Sequence, residues 1–289
     1  MMPYLEDMNV YELVQYLNEQ DKRPQAAVAH VASDIAQAIE AISQRLQSGG
    51  RVRVVGAGTS GRLAQLDASE LPPTFGIEAD LWQTLMAGGR EAFWDAVEGA
   101  EDNAEAGYRE IMGQSLGPLD VVIGVAASGS TPYVQGALDA ARESASLRVG
   151  IFCVDDAALT PFTDIAVLLS VGEESLRGST RMLAGTAQKM VLNMISTGVM
   201  VQLGHTLHNL MIDMKPTNLK LRRRGQAIVS ELLHCDESTA RNLLEAHNYH
   251  IRAALIEGLT GAKGEELENY LKSLTGPLGS LWRRDKRPV

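Results

Sequence analysis

The sequence predicts an α/β fold of three layers, α/β/α, with a mainly parallel sheet, helices ahead of it and a small three-helix bundle at the end. Short strands rich in valine recur along the chain, and several are followed by a turn of glycine, serine or threonine and then by a helical pattern. Such units place a helix between successive parallel strands. The composition suits helices packed on a parallel sheet, because alanine, leucine and valine are plentiful and aromatic residues make up only 5% of the chain.

The predicted elements divide the chain into a helical lead-in (1–48), a ligand-binding domain (49–230) and a helical bundle with a basic tail (231–289). Pro72 and Pro73 are expected to end the third helix, because a proline disfavours the helical conformation in the residue before it. Asp236 is expected to cap the first of the three bundle helices within 236–274. The periodicity predicts helices over 4–19, 25–47, 62–69, 90–112 and 181–204, and strands over 52–55, 81–86, 121–125, 149–154 and 165–170.

The first turn, GAGTSG over 56–61, predicts a phosphate pocket. Unpaired backbone N–H groups at a helix start attract an anion, and glycines let the backbone approach it closely. Thr59 and Ser60 add hydroxyl donors, and Gly58 and Gly61 belong to the same turn. The spacing also fits a dinucleotide-binding turn, which remains an alternative. A dinucleotide fold places an acidic residue at the end of the next strand, whereas Asp80 stands at its beginning.

Two further turns repeat this hydroxyl-rich pattern. The strand at 121–125 is followed by Ser128, Gly129, Ser130 and Thr131, and Ser179 with Thr180 precedes the long helix. Turns that follow parallel strands meet at the carboxyl edge of the sheet, where ligands bind in open α/β folds. The alternative for any one turn is that its hydroxyls only cap a helix. Repetition favours a shared anionic ligand.

Composition and charge exclude several classes of protein. The formal net charge of −10 argues against non-specific binding to nucleic acid or to anionic membranes. Two cysteines provide neither a disulfide framework nor a cysteine zinc site, so no metal is expected, and a reduced cytoplasmic setting fits. The first ten residues lack the pattern of a signal peptide. The most apolar long run, 190–203, is interrupted by polar residues and is too short for a membrane span, so we expect a soluble protein.

The long motifs of this chain resemble the N-acetylmuramic acid 6-phosphate etherase family over about residues 20–221, and the end resembles that family's small UBA-like helical domain. The resemblance implies a sugar isomerase (SIS) fold, a homodimer, no cofactor, and a lyase of peptidoglycan recycling that releases D-lactate from N-acetylmuramic acid 6-phosphate and leaves N-acetylglucosamine 6-phosphate. The motifs are GAGTSGRLAQLDASELPPTFG, AVEGAEDN, IGVAASGSTPYV, GSTRMLAGTAQKMVLNMISTG and NLMIDMKPTNLKL.

Cleavage of this ether requires a base that removes the C2 proton and an acid that protonates the departing lactyl oxygen. By resemblance, Glu70 is the proton donor and Glu101 is the other catalytic carboxylate. If 90–112 is one helix, Glu101 lies about 60° from the centre of its buried stripe, whereas Glu98 lies farther round. Taken without the family, this acidic cluster fits a solvated helix face as well.

Four positions depart from the family pattern. Ser130 and Leu183 stand where the family usually has arginine and lysine, Leu219 replaces a glutamate, and Arg177 stands at a position that tends to be threonine. These departures keep open a rival hypothesis: a sugar-phosphate sensor without turnover, similar to the glucokinase regulatory protein, which also contains SIS domains. Retention of both glutamates favours the enzyme.

Overall fold

A computed structural model of the protein describes residues 4–273, and they form two compact units. The first comprises residues 4–68 and 80–196, and the second comprises residues 69–79 and 197–273. The basic tail lies outside the described residues. Within residues 4–273, no helix is both long enough and apolar enough to cross a membrane. The domain boundaries expected at residues 48 and 230 stay predictions.

The N-terminal region is helical, with one more break than the sequence suggested. After a short 3-10 turn at Leu5–Asp7 come α1 (Val10–Gln20), α2 (Lys22–His30) and α3 (Ala32–Gln47). The single helix expected over 25–47 is therefore wrong. Val31, at φ −106° and ψ 22°, separates α2 from α3. The apolar side of α3 is buried, with Ile42 fully covered.

Five parallel strands make up the sheet of the first unit, in the order β2-β1-β3-β4-β5. This confirms the α/β class. The elements run β1 (Val52–Gly56), α4 (Gly58–Phe75), β2 (Trp82–Met86), α5 (Ala104–Gly113), β3 (Val121–Ala126), α6 (Pro132–Glu143), β4 (Leu147–Phe152), β5 (Ile165–Leu168) and α7 (Leu183–Gln202).

The central strands β1 and β3 are buried along their whole length, as parallel strands covered by helices should be. Helix α6 packs on β1, β3 and β4, and α3 packs on β5. A charged residue of β1 lies within this apolar core. Arg53 of β1 is 1% exposed and donates to the Asp80 carboxylate at 2.8 Å and to Gln114 Oε1 at 2.9 Å. Asp80 therefore pairs with Arg53 at the amino end of the sheet.

The helix expected over 90–112 is wrong. The structure has a 3-10 turn at Gly89–Phe93, a second 3-10 turn at Ala100–Asp102, and α5 only from Ala104. Gly99 precedes the second turn with φ +72°, a conformation that a helix interior does not contain. Asn103 then caps α5 by accepting from Ala106 N at 2.9 Å. Glu101 therefore lies in a 3-10 turn and not on the face of a long helix, so its expected helical position is wrong.

The stop expected at Pro72 and Pro73 is also wrong, because α4 runs on to Phe75 with both prolines inside it. A proline removes one helical donor but keeps a helical φ. The last turn still closes, with Gly76 N donating to Pro72 O at 2.9 Å. Leu71 and Phe75 are 3% and 6% exposed, so burial of these side chains offsets the lost hydrogen bonds.

The second unit holds the predicted three-helix bundle and one further helix. A two-strand hairpin of β6 (Thr206–Leu207) and β7 (Leu210–Met211) leads into α8 (Leu219–Leu233), α9 (Glu237–Ala246), α10 (Ile251–Thr260) and α11 (Glu265–Ser273). Its core includes Val229, Leu244 and Leu255. Asp236 caps α9, as predicted, by accepting from Thr239 N at 2.8 Å. A basic run at 220–224 lies on α8, and its four charged side chains are exposed.

Candidate active site

The strand order creates a switch point between β1 and β3. The chain passes from β1 to β2 on one side of β1, and then returns to place β3 on the other side. Ligands of open α/β sheets bind in the crevice that forms beyond the carboxyl ends of two such strands. The first and second hydroxyl turns follow these two strands. The topology therefore brings the two turns together.

A cavity of about 360 Å³ lies between these turns, all within the first unit. Of the predicted binding residues, seven line it: Gly58, Thr59, Ser60, Ser128, Ser130, Thr131 and Thr180. Glu101 and Asp102 also line it. Its lining within the described chain includes no Lys, Arg or His, so an anion here depends on hydroxyls, backbone N–H groups and the positive ends of α4 and α6.

The first turn is held against the sheet by close packing. A Cβ on Gly61 would lie 3.0 Å from Gly56 O and from Met86 Cγ, so a side chain here would have to displace its neighbours by a few tenths of an ångström. Gly61 is buried behind the turn, whereas Gly58 is exposed and Thr59 is half-buried. Ser60 is 7% exposed, and its Oγ donates to Gln188 Oε1 of α7 at 2.9 Å. The two hydroxyls of this turn therefore differ in their partners.

In the second turn, the serine side chains are exposed at the cavity. Ser128 Oγ accepts from Ser130 N at 3.3 Å and from Ser130 Oγ at 3.1 Å. Gly129 is buried with φ +64°, and a Cβ there would meet Ala157 Cβ at 2.5 Å. Thr131 is the N-cap residue of α6, yet within the described chain its side chain makes no capping hydrogen bond. Capping therefore does not account for the Thr131 hydroxyl.

The third hydroxyl pair contributes one of its two members. Thr180 lines the cavity, and its carbonyl accepts from Gly185 N at 3.0 Å. Ser179 is half-buried and is not among the lining residues of residues 4–273. The start of α7 just beyond is fixed by the buried Glu174 carboxylate, which accepts from Leu183 N at 2.9 Å and from Ala184 N at 3.0 Å.

Glu101 stands where two cavities meet. Its exposed side chain lies in the 3-10 turn after Gly99. It lines both the 360 Å³ cavity between the turns, which we call the hydroxyl cavity, and an adjoining cavity of about 300 Å³. Arg62 belongs to this second cavity and donates to Phe93 O at 3.2 Å and to Asp95 O at 3.1 Å. Glu98 lines the second cavity as well, so its expected place on the outer face of a helix is wrong.

Glu70 lies on α4 with an exposed side chain and belongs to the second unit. It is not among the residues of the described chain that line the hydroxyl cavity. Its role as proton donor therefore stays a prediction. Residues 4–273 contain no cluster of His, Cys, Asp or Glu that could hold a metal ion.

The four departures from the family pattern have different surroundings. Ser130 lines the cavity, whereas Leu183 is fully buried at the start of α7. Arg177 is 74% exposed and pairs with Glu173 at 2.8 Å, and Leu219 is exposed at the start of α8. Only Ser130 thus changes the lining of the cavity, by leaving a hydroxyl where an arginine is usual.

Sequence reasoning did not single out Gln188, Glu174 or Arg62. Gln188 and Glu174 are both buried, and each accepts a hydrogen bond near the site. Gln188 accepts from Ser60 of the first turn, and Glu174 accepts from Leu183 at the start of α7. Gln188 gave no distinctive signal, because α7 carries several other polar residues, among them Thr186, Lys189 and Asn193. Glu174 gave none either, because adjacent glutamates usually indicate a solvated surface.

The fold is of the SIS type, with a cavity at the switch point of its parallel sheet. Residues 34–142 match the family described as glucokinase regulatory protein N-terminal SIS domain. A phosphoheptose isomerase from Francisella tularensis has the same fold, with a TM-score of 0.50 and 17% identity over 66% of this chain and 98% of that one.

The family follows from curated relatives named N-acetylmuramic acid 6-phosphate etherase. The relative from Lactobacillus gasseri is 43% identical over 96% of this chain and 94% of its own length. Those from Salmonella agona and Caldanaerobacter subterraneus are 47% and 41% identical, over 89% and 94% of this chain and 86% and 89% of theirs. The chain belongs to the N-acetylmuramic acid 6-phosphate etherase family.

Proposed function

We propose that this chain is a carbon–oxygen lyase that cleaves the D-lactyl ether of N-acetylmuramic acid 6-phosphate. The products are N-acetylglucosamine 6-phosphate and D-lactate. The observation that carries the proposal is the cavity at the switch point, where two hydroxyl turns and Glu101 face the same space. The names of the 41–47% identical relatives supply the substrate.

The phosphate is held by neutral donors in this proposal. Thr59, Ser60, Ser128 and Thr131 donate hydroxyl hydrogens, and the starts of α4 and α6 add backbone N–H groups and the positive ends of their dipoles. Hydrogen bonds to a charged group are worth about 1.5–3 kcal/mol each, so a few of them suffice for specific binding. The sugar then extends from the phosphate toward Glu101.

The chemistry is an elimination followed by hydration. A carboxylate removes the C2 proton of the open-chain sugar, the C3–O bond breaks, and its electron pair leaves with the lactyl oxygen, which takes a proton from an acid. Water then adds to C3, and a proton returns to C2. The overall reaction is redox neutral and needs only an acid, a base and water. We assign Glu101 as the base and Glu70 as the acid.

We further propose a homodimer with its sites near the subunit interface. The resemblance implies this assembly, but the apolar side of α3 is buried within the chain. Exposed apolar side chains lie instead on α1, where Val10, Tyr11 and Val14 are 59–80% exposed, and on α7, where Met194 is 43% exposed. Light scattering at micromolar concentration should give about twice the 31.2 kDa chain mass. A monomer would contradict this proposal.

A direct assay separates the enzyme from the sugar-phosphate sensor, which the match to the glucokinase regulatory protein domain keeps as the second candidate. The protein is mixed with N-acetylmuramic acid 6-phosphate in deuterated water, D-lactate is measured enzymatically, and deuterium at C2 of the product is measured by NMR. The lyase produces both signals. Binding of the sugar phosphate without lactate release or C2 exchange would establish the sensor instead.

A further inference from the structure

The second cavity shares part of its lining with the hydroxyl cavity. Ala57, Gly58 and Glu101 line both of them. In the proposed function, the phosphate lies in the hydroxyl cavity and Glu101 removes the proton from C2 of the sugar. The ether oxygen that carries the lactyl group is bonded to C3, the carbon next to C2. The lactyl group therefore begins beside Glu101, where the second cavity adjoins the first.

Arg62 supplies the positive charge of the second cavity. Across the described residues, it is the one Lys, Arg or His that lines either cavity. It lies on α4 four residues after Gly58, which places it about one helical turn, or about 5.4 Å, farther along the axis. A cation thus lies about one turn away from the proposed phosphate site.

The Arg62 guanidinium keeps donors for a ligand. Its Nε donates to Phe93 O at 3.2 Å, and its Nη2 donates to Asp95 O at 3.1 Å. A guanidinium has five N–H groups in a planar fork. The other three have no hydrogen-bond acceptor within residues 4–273. Such a fork can bind a carboxylate through two parallel hydrogen bonds.

Three carboxylates also line the second cavity, those of Asp95, Glu98 and Glu101. None of them forms an ion pair with Arg62, whose two hydrogen bonds within the described chain go to backbone carbonyls. All three side chains are exposed, and water and salt screen exposed charges. They still disfavour a ligand group that carries close to two negative charges, such as a phosphate. The cavity therefore suits a single carboxylate better than a phosphate.

Much of the remaining lining is apolar. Met86, Ala87 and Ala92 are each 3% exposed, and they line the cavity together with Val97. A lactyl group carries a methyl group and a carboxylate on one carbon. The apolar side chains match the methyl group, and Arg62 matches the carboxylate. The cavity therefore has both features that a lactyl group requires.

We propose that the second cavity binds the lactyl group, with Arg62 as the residue that holds its carboxylate. The inference deepens the proposed function and rests on it. Arg62 distinguishes a lactyl ether from an unsubstituted sugar phosphate. It also holds the leaving group beside Glu101 while the C3–O bond breaks.

Calorimetry on the wild-type protein tests the proposal with two ligands that are not cleaved. Reduction of the C1 aldehyde gives N-acetylmuramitol 6-phosphate, whose C2 proton is no longer acidic. Its carboxamide keeps the size of the lactyl group but removes the charge. The acid should bind about tenfold more tightly than the carboxamide, because a charged hydrogen-bonded pair is stronger than a neutral one. Equal affinities would overturn the proposal, however any Arg62 variant folds.

Variants assign this preference to one side chain. In Arg62→Met the acid and the carboxamide should bind within about twofold of each other. Arg62→Lys keeps the charge but not the planar fork, so it should retain part of the preference. If Arg62→Met retains the full preference, Arg62 serves only to fix the carbonyls of Phe93 and Asp95, and the proposal is overturned.

Arg90→Met is the matched control. Arg90 is an exposed arginine of the 3-10 turn at Gly89–Phe93, and within the described chain it lines neither cavity. Arg90→Met should therefore bind the acid and the carboxamide as the wild-type protein does.

D-lactate release from N-acetylmuramic acid 6-phosphate, measured on the same wild-type protein, separates this inference from the proposed function. Release together with equal affinities for the acid and the carboxamide would remove the inference and leave the proposed function standing. No release and no binding of either ligand would contradict both.

Discussion

Polar side chains play opposite parts in the two units. In the second unit, Asp213 accepts from Arg252 Nε at 2.7 Å, and His205 Nδ1 lies 2.8 Å from the same carboxylate. These groups satisfy one another. In the first unit, Thr131 and Glu101 face a cavity. The Thr131 side chain makes no capping hydrogen bond to any residue of the described chain. Polar groups that the chain itself satisfies hold the fold, and those left facing a cavity are available to a ligand.

Two N-cap residues show the same contrast. Asp236 uses its carboxylate to cap α9, whereas Thr131 occupies the corresponding position of α6 without a capping bond from its side chain to any described residue. The sequence treats both as helix starts. The structure distinguishes them, because the Thr131 hydroxyl is free to serve a ligand. Variants of the two regions should therefore separate activity from stability.

The largest effect is expected at Glu101. Glu101→Gln should lower D-lactate release about 100-fold or more, because a positioned acid–base group typically supplies that much. Exchange of the C2 proton with deuterated water should disappear with it, and affinity for the sugar phosphate should survive. Glu105→Gln is the matched control, since Glu105 pairs with Arg109 at 2.7 Å on α5. A fully active Glu101→Gln would remove Glu101 from the mechanism.

The reverse effect is expected at Asp213, with a loss of stability and unchanged affinity for the ligand. Asp213→Ala leaves Arg252 buried without its carboxylate and should cost about 3–5 kcal/mol in denaturant unfolding. Burial alone would raise the pKa of Asp213, but hydrogen bonds from Arg252 and His205 outweigh burial and hold this pKa below 3.8. The stability that Asp213 supplies is therefore present above pH 3.8 and is lost as the pH falls through the lower native pKa.

Wild type and Asp213→Ala should accordingly converge in stability below that range. A constant difference at all pH values would show that packing, and not the charge, accounts for the effect. Weakened binding of the sugar phosphate by folded Asp213→Ala would contradict the separation of the two regions.

A smaller effect is expected from the N-cap pair. Thr131→Val keeps the shape of the side chain but removes its hydroxyl. It should therefore weaken binding of the phosphorylated sugar about tenfold in calorimetry and leave the unfolding midpoint unchanged. Asp236→Ala should do the opposite and cost about 1 kcal/mol of stability without a change in affinity. If Thr131→Val destabilises the protein as Asp236→Ala does, its hydroxyl serves the helix and not a ligand.

The smallest effect concerns pH and the start of α10. His250 Nδ1 accepts from Ala253 N at 3.1 Å, which requires a neutral ring. Burial lowers the pKa of His250 below 6.5, and Arg252 and His247 act in the same direction against the attraction of Asp213. The cap therefore stabilises α10 above pH 6.5 and is lost as the pH falls through the native pKa.

Hydrogen exchange at the amides of α10 should accelerate between pH 7.5 and 5.5, relative to the intrinsic rate, by the equivalent of about 1 kcal/mol or less. His250→Asn keeps a capping acceptor that does not titrate and should remove this dependence. Equal pH dependence in the two proteins would assign it to another group.

The sequence predicted the sheet and the turns that line the cavity but not the loop around Glu101, and each outcome has a physical reason. Buried strands followed by glycine turns defined the sheet and the cavity, because both depend on residues close together in the chain. Gly61 and Gly129 lie where a side chain would collide with the backbone or with a neighbour. The loop around Glu101 was missed, because Gly99 interrupts a pattern that otherwise has helical spacing.

Contacts between distant segments could not be predicted from local patterns. The hydrogen bond from Ser60 to Gln188 joins residues 128 positions apart, and it decides which way a predicted binding hydroxyl points. The helix through Pro72 and Pro73 likewise depends on burial of Leu71 and Phe75. In both cases tertiary packing overrides a local signal.

A crystal structure with bound N-acetylglucosamine 6-phosphate tests the central claim most directly, because it locates the phosphate. The account predicts a phosphate between the two turns, within hydrogen-bonding distance of Thr59, Ser60, Ser128 and Thr131, with the sugar directed toward Glu101. A phosphate bound elsewhere on the protein, or a dinucleotide that displaces the sugar from this cavity, would contradict it.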